Sequence, residues 1–296
     1  MYRERVAALD LPTDLEDRHV LALPVGVDVG GLAVAWFVGS AWEVLPLGAD
    51  TFGYAALPER RFRGAVQEPV LRPGRLRLTA RAGLDGPWLL PAADARLQGL
   101  PDQDLDLYAL DPRVTDPLVL GWMTAAARRS GGAVVSADRR QVLLPDPGAA
   151  VDLTLWTGTV LESEDLVAAV RPALAGSRLG RVERGPDGGY AMTSRFEFDG
   201  GVVVTVARRT AVPVAVAGLS WGDHGPWTYT VAWRPPDPAE LTAEQPSRTH
   251  LIARTRVAQV VARAARAVLG AAGGVVVDDG GFPVSDDELA MRGTTL

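Results

Sequence analysis

The segment Trp221-Gly222-Asp223-His224-Gly225-Pro226-Trp227 gathers the residues of this chain best suited to chemistry. An imidazole titrates near neutrality, so His224 is a candidate general acid or base and Asp223 its candidate carboxylate. Consecutive side chains on a strand point to opposite faces, so adjacency alone does not pair them. The same string also reads as a structural turn, in which the aspartate caps backbone amides and Gly-Pro-Trp fixes the geometry. Arg254 is the second candidate. Helical spacing groups it with Val257, Val261 and Val268 on an inward stripe, and a buried guanidinium needs an anionic partner. It is therefore a candidate anion clamp, with His250 one turn earlier and Trp227 as an aromatic contact. An internal salt bridge, or a rim arginine with a packed stem, accounts for Arg254 equally well.

Composition narrows the chemistry further. The chain has 296 residues, 30 basic and 36 acidic, with three histidines and no cysteine. Lysine and asparagine are absent, so every basic residue of the 30 is an arginine. Without lysine there is no P-loop, no Schiff-base nucleophile and no protein-kinase lysine. Without cysteine there is no thiol nucleophile, disulfide framework, cysteine zinc site or iron–sulfur cluster. His19, His224 and His250 are not spaced as an H-E-x-x-H zinc helix. The acidic stretch Asp278-Asp279-Gly280-Gly281 lacks the spacing of a calcium loop and reads as a turn, with Ser285 opening a helix after it. No metal or cofactor is expected. The bias towards Ala, Gly, Val, Leu, Arg and Pro fits a high-GC bacterial coding sequence.

A net charge of −6, shared evenly between the halves, argues against a nucleic-acid surface. The charged N-terminal stretch has no signal-peptide core. The most apolar run, Val20 to Gly39, is broken by Pro24, Asp28 and Gly30-Gly31. It reads as two strands joined by a turn rather than a membrane span. A cytoplasmic location is expected.

Within that run, Val25-Gly26-Val27-Asp28-Val29-Gly30-Gly31 resembles the first phosphate-binding hairpin of the sugar-kinase and actin-like ATPases. The resemblance implies a carboxylate at Asp28 near Mg²⁺ and backbone amides near phosphate. It covers about seven residues. Leu32 stands where that family has Thr or Ser, and no second phosphate segment follows.

The elements that must position these residues are legible in part. Asp116-Pro117 opens a helix, with Leu118, Trp122, Ala125 and Ala126 on one face and Gly131 as its stop. A second helix starts at Ser163, with Pro172 kinking or ending it. A third runs from Ser247 to about Gly270, with Leu251, Val257, Val261, Ala264, Ala265 and Val268 inward. Arg75 to Arg81 alternates as a strand, and Asp199-Gly200-Gly201 joins two strands as a hairpin. Trp227 to Trp233 is a further strand. Its two tryptophans are six residues apart and share one face.

Two regions repeat in order. Gly86-Pro87-Trp88, a helix and Gly131-Gly132 precede one Val-rich strand; Gly225-Pro226-Trp227, a helix and Gly273-Gly274 precede another. The fold expected is α+β: two related, duplicated units of antiparallel sheet packed against helices, residues 1–148 and 149–296. The expected role is a non-catalytic binding, protein-interaction or regulatory module, with a protein partner or a small anionic ligand. The competing readings are a small hydrolase or isomerase using His224 and Asp223 with Arg254 as anion clamp, and a phosphate-binding kinase-like protein through Asp28.

Overall fold

The computed structural model describes residues 2–4, 9, 11–47, 72–185, 188–220, 224–243 and 245–294. The chain divides into two compact units, Met1–Pro147 and Gly148–Leu296. The first contains strand β1 (Tyr2–Glu4), β2 (Val20–Pro24), helix α1 (Val29–Val34), β3 (Ala41–Val44), β4 (Gly74–Thr79) and β5 (Ala82–Leu90). It continues through α2 (Ala92–Leu97), β6 (Leu105–Leu110), α3 (Pro117–Ser130), β7 (Ala133–Val135) and β8 (Gln141–Leu143). The second holds β9 (Leu153–Thr157), α4 (Ser163–Val170), β10 (Arg178–Leu179), β11 (Glu183–Arg184), β12 (Tyr190–Phe196) and β13 (Gly200–Arg208). After these come α5 (Val214–Ala217), β14 (Trp227–Arg234), α6 (Arg248–Ala272), β15 (Val275–Asp278), β16 (Pro283–Val284) and α7 (Asp286–Gly293).

The protein is α+β, and each unit carries one antiparallel sheet. The two sheets share one plan. The first runs β8-β7-β2-β6-β5-β4-β3, with β1 added beyond β8. The second runs β16-β15-β9-β14-β13-β12-β10, with β11 also on β12. Each position in one order has its counterpart in the other. In both units the first strand of the shared plan, β2 or β9, ends up mid-sheet, a helix follows it, and a longer helix precedes the closing hairpin.

This plan confirms one sequence anchor and corrects another. Gly131-Gly132 and Gly273-Gly274 do occupy equivalent places, between α3 and β7 and between α6 and β15. A Cβ on Gly132 would run into the Ala22 carbonyl of β2, and one on Gly274 into the Trp156 carbonyl of β9. Only glycine lets the helix exit lie this close to the central strand. The Gly-Pro-Trp strings are not equivalent. Gly86-Pro87-Trp88 lies within β5, whereas Gly225-Pro226-Trp227 enters β14, whose counterpart is β6.

Helix caps follow the sequence. Asp116 accepts from Leu118 N–H to open α3, and Gly131 ends it at φ 70°. Ser247 accepts from His250 N–H to open α6, and Ser285 from Glu288 N–H to open α7. Two helical faces differ from expectation. Leu118 is exposed and Val119 is buried. In α6 the buried stripe includes His250 and Ala253, while Leu251 faces outward and Arg254 is half-buried at the rim. The run from Val20 to Gly39 is also corrected, because a helix follows β2 where a second strand was expected. Asp28 caps that helix, accepting from Gly31 N–H at 2.9 Å, and this local bond turns the backbone away from an extended course.

The second unit's core lies between α4, α6 and one sheet face, and includes Leu155, Leu166, Met192, Val204, Tyr229, Trp233 and Val261. The first unit's sheet is covered on both faces, since Val20, Leu21, Ala22 and Leu23 are all fully buried. One face carries Leu9, Leu11, Leu15, Ala95 and Leu100 against β2 and β6. Towards the other, the indole N–H of Trp122 on α3 donates to the Leu32 carbonyl, and Phe37 meets the Trp122 ring edge-on. Among the described residues no helix is long and apolar enough to cross a membrane.

Candidate functional site

The two predicted histidines belong to different ends of strand β14, and of the predicted site residues Trp227 lies on it. His224 lies just before β14 and is buried. Its Nε2 is 3.2 Å from the Leu219 carbonyl, an acceptor, so that nitrogen is the donor of this bond. Gly225 is pressed against the Gly158 backbone at the end of β9, which fixes the approach to the strand. Asp223 lies outside the described residues. Trp227, the first residue of β14, is half-buried and packs on the second unit's core.

His250 belongs to the other end of β14. It is buried in the first turn of α6, and its ring lies 4.8 Å from that of Trp233, tilted by 47°. Trp233 is itself held, through its indole N–H to the Asp199 carbonyl and its backbone N–H to Asp152. Glu240 accepts from Ser247 N–H at 2.7 Å; that bond holds its carboxyl below the usual range, with nearby His250 contributing less. Trp227 and Trp233 are six positions apart in β14, about 20 Å along the strand. His224 therefore does not meet His250. Arg254, one turn after His250, belongs with the latter's end.

The densest ionic constellation is one that spacing did not single out, on the first unit's sheet. Arg18 donates to Asp85 at 2.7 Å and to the Ala109 and Leu110 carbonyls. Arg75 donates to Asp85 at 3.0 Å and forks onto both oxygens of Asp111, at 2.6 and 2.8 Å. These bonds raise the Arg75 guanidinium pKa well above its ordinary value, the Asp111 hydrogen bond most. Asp111 also accepts Gly83 N–H. A cleft of about 350 Å³ opens over this network, with Asp14, Val44 and Trp88 among its walls. The alternation of Arg75 to Arg81 places its arginines on one strand face, but of the side-chain hydrogen bonds of Arg18 and Arg75 only that from Arg75 to Asp85 is near in sequence, 10 residues away, while the others span 36 to 92 residues.

Asp28 uses a carboxylate oxygen as the cap of α1. Nearby, Asp106 is pushed up by burial while Gly26 N–H, at 3.5 Å, pulls it partly back. Asp278 accepts from Gly280 and Phe282 N–H, as expected for a turn. Among the described residues no three His, Asp or Glu side chains are grouped to hold a metal ion.

No family model, curated protein or solved structure matches the chain.

Proposed function

We propose that the protein is a non-catalytic binding module that engages a protein partner through its first unit. The observation that carries this reading is a concentration of exposed aliphatic side chains in one short stretch. Val34, Val38, Val44, Leu45 and Leu47 are all more than half exposed, and Val38 reaches 83%. Singly exposed aliphatics are ordinary, but five within fourteen residues mark a surface suited to burial against another molecule. They flank β3, the terminal strand of its sheet order.

The placement of the histidines favours this reading over a hydrolase or isomerase. A nucleophile–base mechanism needs its groups within hydrogen-bond reach in one site. His224 and His250 instead serve different ends of β14. Asp28 as a helix cap likewise favours a structural role over a phosphate-binding one.

A photo-crosslinking residue placed at Val44 or Leu45 tests the reading in lysate from the native cells, with Leu97 as the exposed control on α2. A recurrent protein adduct from positions 44 and 45, lost in Val38→Glu and missing at 97, is the expected result. Equal adducts at all three positions, or none, would overturn it.

A further inference from the structure

A buried, unpaired cation in the first unit carries an inference independent of that apolar stretch. Arg139 lies in the turn between β7 and β8 and is only 7% exposed. All three of its guanidinium nitrogens are buried without a hydrogen-bond partner among the described residues. A guanidinium does not shed its proton in a protein, so the charge stays and its burial is costly. Glu16 and Asp17 act on it electrostatically but neither pairs with it. The backbone around it is also unusual. Arg139 has φ +63° and Asp17 φ +55°, the left-handed region that side-chain-bearing residues rarely occupy. Arg139 is held there by its N–H to the Ser136 carbonyl and by its own carbonyl, which accepts Leu9 N–H.

The geometry points to Arg139 as the anchor of a binding site for a small monocarboxylate with a short aliphatic tail. A planar guanidinium fork matches the two oxygens of a carboxylate. The nearby negative charges of Glu16 and Asp17 disfavour a multiply charged anion such as phosphate. The tail has apolar company. Leu9 bonds the turn itself, and Leu9, Leu11 and Leu15 share one buried cluster with Val135 and Val142, the strand residues flanking the turn. A bound carboxylate would satisfy a charge that the folded chain leaves bare.

Butyrate, against chloride at equal ionic strength, is the probe, read by thermal unfolding of the full chain and by calorimetric titration. Saturating butyrate is expected to raise the Tm of the wild type by about 2–4 °C. Arg139→Met is expected to lose that response while melting at or above the wild type in chloride. Should that variant not fold, Arg139→Lys keeps the charge without the fork and is expected to bind butyrate at least tenfold more weakly. Absence of any heat or Tm shift in the wild type would overturn the proposal. So would an undiminished response in Arg139→Met or Arg139→Lys, or a larger shift with inorganic phosphate than with butyrate.

Discussion

Gly274 stands against the carbonyl oxygen of Trp156, so the exit of α6 is tied directly to the strand that opens the second unit. Gly132 meets Ala22 in the same way in the first. Each contact seats a late hairpin on an early strand. Gly274 also has φ +114°, which a side chain would strain. Gly274→Ala is expected to cost about 2–4 kcal/mol through overpacking and backbone strain together. Gly132→Ala is expected to cost about 1–3 kcal/mol through overpacking alone. Urea unfolding of both variants measures this, and a loss below about 0.5 kcal/mol at either position would count against the shared contact.

Arg18 ties three groups together near the end of β6, and its side chain is only 11% exposed. Arg18→Met is expected to cost about 2–4 kcal/mol, because Asp85 and two carbonyls lose a charged donor. Arg18→Lys recovers part of that loss, since a single ammonium cannot reproduce the fork. Equal stability of the methionine variant and the wild type in denaturant melts would refute the role.

His19 gives the fold a pH dependence. Burial depresses its pKa from the ordinary 6.5, with Asp138 pulling it partly back up. The unfolded chain therefore takes up a proton before the folded one does, and stability falls as pH drops below about 6.5. This contribution is fully present above the unfolded value and is lost as pH falls through the folded one. His19→Gln is expected to flatten the fall between pH 7.5 and 5.5. A variant with the wild-type slope would assign it to other groups.

His250 acts as a ring packed on Trp233. His250→Phe is expected to retain stability within about 1 kcal/mol, whereas His250→Ala loses about 1–2 kcal/mol with the ring contact. The intrinsic tryptophan fluorescence of the alanine variant should shift as Trp233 is uncovered. A phenylalanine variant as unstable as the alanine one would mean that the imidazole nitrogens, rather than the ring, are needed.

Local chemistry made some of this fold readable. Asp116, Pro117 and Gly131 bound α3 because caps and stops act within one turn of the residues they serve. Ser247 and Ser285 announce their helices for the same reason. Strand order is different in kind. Nothing local to Val20 or Leu153 says that each will lie mid-sheet, since that depends on pairing with Ala109 and Val135 in one unit and with Val231 and Asp278 in the other. The Val20–Gly39 run misled because an apolar segment suits a strand or a short helix equally, and the Asp28 cap decides between them. The site was legible as residue types and illegible as an arrangement. His224 and His250 were identifiable, but only the length of β14 separates them. Arg139 sat in a turn with no local signal of burial, and the Leu9 N–H that bonds its carbonyl comes from far earlier in the chain.

The mid-sheet placement of β9 has a consequence for synthesis. β9 is hydrogen-bonded by β14 on one side and β15 on the other, so its second neighbour leaves the ribosome only near residue 278. Until then the nascent second unit carries an open strand edge at what will become its interior. A message cut short after α6 would yield a product with that edge permanently bare, and such a product is a template for self-association. Strand β15 thus acts as the seal on a sheet laid down long before it.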